Sequence, residues 1–287
     1  MKSTTRRVIA ALCALVLVFA LAPGAAYADD TAARERPELE EVRVYICSLL
    51  SGRAYIKRDI AYIALTDIAA MYDISLTLDV SDTGFTASAP GLELSGETGS
   101  GYVTANYRYL YLPHGYIQAG GDIYLPLDVL CRIFSLNGEY TDGRVEISTA
   151  KPRMIRGNED YYETNFSADE LYWLPHIAYV EALDEPLAGI MGVVSVVLNR
   201  VEDEDFPDSI FEVLYDSRHT VQFTPAATGS MHGKPTELYY IATYLVLEGY
   251  NTVGESLYFV NPENNGNYWF RENLTFVVSI GNHEFYK

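Results

Sequence analysis

The sequence predicts a mixed α+β protein of two domains, preceded by an export signal. Three observations predict this fold class. The first half repeats a strand-then-helix pattern, the second half carries long helical patterns, and a stretch with little apolar periodicity separates the two halves. We place a signal peptide at residues 1–28, an N-terminal domain at 41–149, a linker at 150–166 and a C-terminal domain at 167–287.

The first 28 residues have the pattern of a secretory signal peptide. Basic residues Lys2, Arg6 and Arg7 precede an apolar run at residues 8–22, and a small-x-small site at residues 26–28 suits cleavage. The apolar run is short for a bilayer span. We therefore expect an exported protein with no transmembrane anchor after cleavage.

The chain is strongly acidic, with a formal net charge of −19 at pH 7. A surface of this charge repels the phosphates of nucleic acids and of anionic lipids. We therefore exclude nucleic acid as a partner.

Cysteine and histidine usage predicts no cofactor and no metal site. Cys47 and Cys131 are the cysteines that follow the signal region, and they could form a disulfide or remain as buried thiols. The histidines of the C-terminal half lack the spacing of three or four residues that is typical of zinc ligands on a helix: His176, His219, His232 and His283.

The N-terminal half contains an internal repeat. Residues 62–74 and 124–136 share a Tyr-x-x-Leu start ("YIAL" and "YLPL") followed by an amphipathic helical pattern, at an offset of 62 residues. Alternating residues predict further strands at 76–80, 85–89 and 145–148, with turns at Asp82-Thr83-Gly84 and Asp142-Gly143. We expect a structural module built from two equivalent halves.

On this doubled pattern, residues 41–149 resemble the copper amine oxidase N-terminal-like domain, a stalk or cell-wall-associated module of exported bacterial proteins. His114 is the only histidine of this region, and copper usually takes several imidazole ligands, so we predict no copper site. Five tyrosines could stack on sugars, but their alternation favours half-buried packing in a sheet: Tyr102, Tyr107, Tyr109, Tyr111 and Tyr116.

The C-terminal half opens with a helix whose start is well marked. Ser167 and Glu170 form a capping-box pattern before a run of amphipathic positions. Pro175 lies inside this run and removes a backbone donor, so we expect a separate first turn and a main helix that begins near Leu174. The helix is predicted to end at Glu181.

An acidic cluster, EALDEP, follows at residues 181–186. Its carboxylates Glu181, Asp184 and Glu185 stand before an apolar helix that Pro186 is well placed to start. Apolar surroundings and neighbouring like charges both raise the pKa of a carboxyl group, which then delivers a proton near neutral pH. The alternative is an ordinary solvated connection in which Asp184 or Glu185 caps the second helix.

Six ordered segments identify a family. They are EALDEP, VVSVVLNRV at residues 193–201, FPDSIFEVLY at 206–215, QFTP at 222–225, ESLYFVNP at 255–262 and IGNHEFY at 280–286. On these segments, residues 177–287 resemble the SleB-type cell wall hydrolases, spore cortex-lytic enzymes that cut peptidoglycan. The resemblance implies a lysozyme-like α+β fold, a lytic transglycosylase or muramidase, and a location in the cell wall or spore envelope.

The resemblance also implies roles for individual residues. Glu181 takes the position of the family's catalytic glutamate and would act as acid and then base, whereas attack by water would require Asp184 or Glu185 as a second carboxylate. Peptidoglycan glycan strands are the implied partner, and an accessory protein that regulates the enzyme is a further one. The glycan-contacting candidates are Gln222, Phe223, Thr224, Tyr258, Asn261, Trp269 and His283. Phe223 and Tyr258 have a plain alternative as core residues, and His283 has one as a structural histidine.

One departure from the family pattern opens a second hypothesis. The family has an Arg and a Gly where this chain has Leu183 and Asp184. The change removes a cation, adds a negative charge and restricts the backbone if a positive φ is needed there. The alternative function is therefore a catalytically impaired peptidoglycan-binding or scaffolding protein on the same fold.

Overall fold

A computed structural model describes residues 39–216, Phe223, 233–265 and 268–287 of the chain. It has a mixed α+β fold, which confirms the predicted fold class. The predicted signal peptide lies outside the described residues, and the domain boundaries stay a prediction. No helix in the described part has both the length and the apolar character needed to cross a bilayer.

The N-terminal half is built mainly from strands. The strands of this half are β1 (Glu40–Ile46), β2 (Leu49–Lys57), β3 (Ile60–Ala64), β4 (Thr77–Ser81), β5 (Gly84–Ala89), β6 (Leu92–Glu97), β7 (Tyr102–Ala105), β8 (Arg108–Tyr111), β9 (Ile117–Ala119), β10 (Asp122–Pro126), β11 (Gly138–Thr141) and β12 (Arg144–Ile147). Two short helices accompany them, α1 (Leu65–Met71) and α2 (Leu127–Ile133).

These strands form two sheets around one apolar core. The first sheet has the order β11-β12-β1-β2-β3-β10-β9, and the second is a meander with the order β4-β5-β6-β7-β8. The predicted turn at Asp142-Gly143 joins β11 to β12 with φ of 50° and 74°, the left-handed conformation that two-residue hairpins require. Strand–helix units occur at both predicted copies (β3–α1 and β10–α2), while the two-fold repeat of the whole half stays a prediction.

The C-terminal half is built mainly from helices. They are α3 (Tyr161–Asn165), α4 (Ala168–Glu181), α5 (Leu187–Glu202), α6 (Ile210–Leu214), α7 (Glu237–Leu247), α8 (Pro262–Asn265) and α9 (Tyr268–Asn273). A small sheet with the order β13-β15-β14 completes this half, with β13 at Tyr258–Val260, β14 at Phe276–Ile280 and β15 at His283–Tyr286.

Helix α4 begins and ends as the sequence predicts, but it is continuous where we expected a break. The Ser167 hydroxyl accepts a hydrogen bond from the Glu170 backbone N–H, and the Glu170 carboxylate accepts one from the Ser167 backbone N–H. Pro175 lies inside the helix and its ring is buried. The predicted main start near Leu174 is therefore wrong. Burial of the Leu174–Pro175 face in the core stabilises the helix, which offsets the one backbone hydrogen bond that proline cannot make.

Tyrosines of the N-terminal meander pack against the C-terminal half. Tyr109 stacks on Tyr244 of α7 with ring centroids 5.6 Å apart, and Tyr111 meets Tyr250 edge-on at 5.9 Å. Tyr102 also packs on the C-terminal core. The predicted half-buried packing is thus confirmed for these three tyrosines, although they pack against the other half of the chain. It is wrong for Tyr107, which is 48% exposed in the turn between β7 and β8.

A buried carboxylate, Glu248, joins the two halves. It accepts hydrogen bonds from Arg108 Nε at 2.8 Å and Arg108 Nη2 at 2.5 Å, and a further one from the Tyr162 hydroxyl at 3.1 Å. The Glu248 backbone carbonyl accepts another from Arg132 Nη1 at 2.9 Å. A forked guanidinium–carboxylate pair fixes orientation as well as distance, so the halves are held in a defined arrangement.

Replacing Glu248 by alanine is therefore expected to destabilise the protein by about 2–4 kcal/mol, because Arg108 and Tyr162 lose their shared acceptor inside the interface. Urea denaturation measures the change. Glu255→Gln is the matched control, since Glu255 pairs with Lys287 at the surface and its loss should leave the midpoint nearly unchanged. Equal midpoints for Glu248→Ala and the parent would contradict this account of the interface.

Candidate active site

Glu181 is the last residue of α4 and is half-buried. Its neighbour Ala182 is fully buried, and Ala178 one turn earlier is buried as well. The Oε1 atom of Glu181 is buried and has no hydrogen-bond partner among the described residues. An ionised carboxylate with no partner is costly in such surroundings, so the protonated form is favoured.

Burial raises the pKa of Glu181 from 4.5 to about 7. We had expected both burial and neighbouring like charges to contribute. Desolvation alone accounts for the raised pKa, and the other carboxylates of the cluster are not among its causes. Near neutral pH the group is therefore divided between an acid form and a base form, which suits successive proton donation and acceptance.

Asp184 lies at the surface and has a φ of 63°. This is the left-handed region that glycine adopts freely and that Asp tolerates better than most residues. The backbone conformation that a glycine would supply is thus present in this chain. Leu183 beside it is 60% exposed.

Glu185 is buried, so the interpretation as a solvated connection is wrong for this residue. Its Oε2 accepts a hydrogen bond at 3.0 Å from the backbone N–H of Asn282, in the turn between β14 and β15. His283 Nδ1 lies 4.0 Å from Glu185 Oε1. Glu185 therefore ties the connection after α4 to the C-terminal hairpin through the Asn282 backbone N–H.

His283 is also buried, and its ring meets Phe259 edge-on at 5.2 Å between centroids. Burial lowers the pKa of the imidazole, while the nearby Glu185 carboxylate opposes the shift. Its Nδ1 has no hydrogen-bond partner among the residues that the structure describes. The histidine is part of the same buried group as Glu185 rather than an exposed contact.

The turn at Gly281 leaves room only for a hydrogen atom. Gly281 has a φ of 59°, and a Cβ built on it would overlap Glu185 Oε2. Gly281→Ala is therefore expected to destabilise the protein by about 2–4 kcal/mol, because it adds a clash with a buried carboxylate to the cost of a positive φ.

Gly254→Ala is the matched control for thermal or urea unfolding. Gly254 has a φ of 55°, but a Cβ there would meet nothing within 4 Å. Gly254→Ala should lower the free energy of unfolding by only about 1 kcal/mol, because only the cost of a positive φ applies. Equal losses in the two variants would contradict the proposed contact between the hairpin turn and Glu185.

Arg200 is a buried cation that our sequence analysis did not single out. Its side chain is almost fully buried near the end of α5, and its Nε donates to the Leu257 carbonyl at 2.7 Å. Burial lowers the pKa of the guanidinium to about 10. Three aromatic rings enclose it, with Cζ at 5.0, 5.1 and 5.3 Å from the centroids of Phe206, Phe223 and Tyr258. The sequence signal for this buried cation is a charged residue near the end of an otherwise apolar helix.

Two of the glycan-contacting candidates, Phe223 and Tyr258, pack against Arg200. Phe223 is buried among Arg200 and Phe259, which favours its alternative role in the core. Tyr258 is half-buried against Arg200 and Phe270.

The remaining candidates lie in different surroundings. Trp269 is 57% exposed and packs edge-on against Phe270. Asn261 accepts a hydrogen bond from the Glu263 backbone N–H through Oδ1, at 3.0 Å, next to the start of α8. Gln222 and Thr224 lie outside the described residues.

Metal and disulfide chemistry find no support in the described ranges. Cys47 and Cys131 are free thiols and form no disulfide, but Cys47 is exposed and Cys131 is half-buried, so the expectation of buried thiols is wrong for Cys47. No three His, Cys, Asp or Glu side chains converge there as a metal site would require. His219 and His232 fall outside those ranges.

The comparison with protein families gives a match within the C-terminal half. Residues 184–286 match the family described as Cell Wall Hydrolase. The match begins just after Glu181 and includes Glu185, Arg200 and His283. The predicted resemblance of this half to cell wall hydrolases is thus confirmed, whereas the resemblance of the N-terminal half to a copper amine oxidase N-terminal-like domain stays a prediction.

Several curated relatives share the name spore cortex-lytic enzyme. The chain is 29% identical over 137 residues to a spore cortex-lytic enzyme of Bacillus cereus, covering 48% of this chain and 51% of the relative. It is 30% identical over 124 residues to that of Oceanobacillus iheyensis, covering 42% and 43%. The Bacillus subtilis enzyme is 30% identical over 104 residues, covering 36% and 33%. The chain therefore spans about half or less of the length of these relatives.

Two solved structures also match. The catalytic domain of the germination-specific lytic transglycosylase SleB from Bacillus anthracis is 28% identical, with a TM-score of 0.39, and the match covers 43% of this chain and 98% of that one. The catalytic domain of the Bacillus cereus SleB protein is 28% identical with a TM-score of 0.38, covering 43% and 93%.

Proposed function

We propose that this protein is an exported peptidoglycan-cleaving glycosidase that acts as a lytic transglycosylase, with Glu181 as its acid and then its base. The observation that carries the proposal is the buried, unpartnered Oε1 of Glu181 in a group whose pKa is raised to about 7. The similarity of residues 184–286 to cell wall hydrolases supplies the substrate class.

The reaction uses one carboxyl group twice. Protonated Glu181 donates its proton to the oxygen that leaves the bond between N-acetylmuramic acid and N-acetylglucosamine, and that C–O bond breaks. The resulting carboxylate removes the proton of the muramyl C6 hydroxyl, whose oxygen bonds to C1 and closes a 1,6-anhydro ring. No water is consumed, and Glu181 ends the cycle protonated.

The surroundings of the other carboxylates favour this route over hydrolysis. Attack by water requires a second carboxylate that faces the sugar from a suitable distance. Glu185 is buried and accepts a hydrogen bond from the Asn282 backbone, so it serves the packing of the hairpin. Asp184 lies at the surface on a left-handed turn residue.

The other predicted segments serve export, wall association and sugar binding. Residues 1–28 direct export, the N-terminal domain serves as a wall-associated module, and the exposed Trp269 covers a sugar face of the glycan. The intact positive-φ turn at Asp184 supports an active enzyme over the impaired binding protein that the Leu183-Asp184 pair raised.

Digestion of purified peptidoglycan, followed by mass spectrometry of the released fragments, tests the proposal. We expect muropeptides that end in 1,6-anhydromuramic acid. Reducing muramic acid ends would instead indicate a muramidase, and freed stem peptides an amidase. Binding to the polymer without any new end would establish the scaffolding alternative.

A further inference from the structure

The outer face of the five-stranded meander carries a continuous row of polar side chains. Cross-strand register aligns one residue from each strand, in the order Asp79, Thr86, Ser95, Thr104 and Tyr109. We call the last four the hydroxyl row. Neighbouring strands lie about 4.8 Å apart, so the five positions span roughly 19 Å.

The row belongs to a sheet with two distinct faces. Residues adjacent to the row in sequence, such as Ala87, Leu94 and Val103, are buried in the N-terminal core. The hydroxyls therefore face away from that core. Ser95 and Thr104 are joined by a hydrogen bond of 2.7 Å between their hydroxyl groups, which orients the centre of the row.

This polar face is the floor of a cavity that is partly open to water, where Asp79 and Thr86 are exposed. A cavity of about 560 Å³ lies over the row, within the size range of small-ligand sites. Its other walls come from the C-terminal part of the chain, namely the segment before and within α3 and Tyr244 of α7. Because both halves contribute, the cavity depends on the docked arrangement that Arg108 and Glu248 hold.

Aromatic rings line one end of the cavity. Tyr162 stacks on Tyr244 with centroids 4.1 Å apart, and Tyr109 stacks on Tyr244 at 5.6 Å. Tyr107, in the turn between β7 and β8, is 48% exposed and also lines the cavity. Hydroxyl groups that both donate and accept, next to tyrosine rings, suit a chain of polyhydroxylated sugar rings.

The charge of the lining selects among sugars. Four carboxylates line the cavity: Asp79, Glu93, Glu159 and Glu163. Among the residues that the structure describes, no lysine or arginine lines it. An anionic ligand such as a phosphate or sulfate ester would be repelled, whereas an ammonium group would gain a charge-assisted hydrogen bond.

We propose that this cavity is a second, non-catalytic binding site for a glycan whose sugars carry free amino groups. The site lies outside the Glu181 region and does not rest on the activity proposed for that residue. It gives the N-terminal half a binding role of its own beside that of a spacer.

Calorimetric titration of the full chain with two probes tests the proposal. The probes are a glucosamine hexamer and an N-acetylglucosamine hexamer, in the Glu181→Gln background so that neither is cleaved, at about pH 6, where an aliphatic amine is charged. We expect the glucosamine hexamer to bind at least about tenfold more tightly, since only it carries ammonium groups for the carboxylates. Equal affinities, or no binding of either probe, would overturn the proposal.

Two sets of substitutions locate the binding. Thr86→Val with Thr104→Val keeps the β-branched shape and removes two hydroxyls of the row, and should weaken glucosamine binding by about tenfold. Glu93→Gln with Glu159→Gln, both at exposed positions, should remove the preference for the glucosamine hexamer. Thr141→Val, an exposed strand threonine in the other sheet, is the matched control and should bind like the parent.

If both variant pairs bound the glucosamine hexamer as tightly as the parent does, the proposal would be overturned. Melting temperatures equal to that of the parent exclude misfolding as the cause of a loss. Should the threonine pair fail to fold, the glutamine pair carries the test alone. Failure here would leave the peptidoglycan digestion products untouched, so the two proposals are distinguishable.

Discussion

Replacing Glu181 by glutamine is expected to lower kcat/KM on peptidoglycan by about 10²–10⁴-fold, the contribution typical of a positioned acid or base. Glutamine keeps the shape of the side chain but carries no titratable proton. The proposed reaction therefore loses both its proton donor and its proton acceptor. The measurement is the initial rate of release of soluble fragments from purified peptidoglycan. Binding to the insoluble polymer should be retained, since the glutamine side chain fills the same space.

Glu202→Gln is the matched control for this prediction. Glu202 ends α5 just as Glu181 ends α4, but its side chain is exposed. Its replacement should leave the rate unchanged. If Glu181→Gln released fragments as fast as Glu202→Gln does, Glu181 would not be the acid.

The same Glu181→Gln substitution should stabilise the folded protein, and increasingly so as the pH rises. In the unfolded chain the carboxyl group ionises near pH 4.5, whereas in the folded protein it ionises near pH 7. Below pH 4.5 both states are protonated and the group makes no pH-dependent contribution. Between these values the unfolded state alone gains the charge, so folding becomes less favourable, by roughly 3 kcal/mol once the pH exceeds 7.

Urea unfolding of the parent and Glu181→Gln at a series of pH values measures this effect. The difference in free energy of unfolding should be near zero at pH 4 and should approach about 3 kcal/mol in favour of the variant at pH 8. Glu202→Gln, at an exposed position, is the control for the effect of the substitution itself. A difference that stayed flat with pH would contradict the burial of the Glu181 carboxyl group.

Local sequence patterns were sufficient for the features that depend on neighbouring residues. The capping box at Ser167, the end of α4 at Glu181 and the hairpin turn at Asp142-Gly143 all follow from contacts within a few residues. The acidic cluster and the six family segments single out Glu181 as the candidate catalytic residue, and that role stays a prediction. The glycine that the family has at position 184 left open whether a positive φ is needed there, and Asp184 has a φ of 63°.

Features that depend on distant parts of the chain were not predictable in this way. Glu185 is buried because its partner, the Asn282 backbone, lies 97 residues further along the chain. Arg108 and Glu248 are separated by 140 residues, and no local pattern of either indicated that they hold the two halves together.

Pro175 shows the complementary limit of local patterns. Its sequence context predicted a break, but the packing of its helix face outweighed the local cost. In each of these cases tertiary contacts decided the outcome.

The most direct test of the central claim is the ionisation of Glu181 itself in the intact protein. A carboxyl ¹³C NMR titration, with the Glu181 signal assigned by its absence in Glu181→Gln, reports its pKa in the folded state. Our account predicts a midpoint of about 7, with the group protonated in slightly acidic solution. A midpoint near 4.5, the ordinary value for glutamate, would mean that the carboxyl group is solvated and would contradict its role as the proton donor.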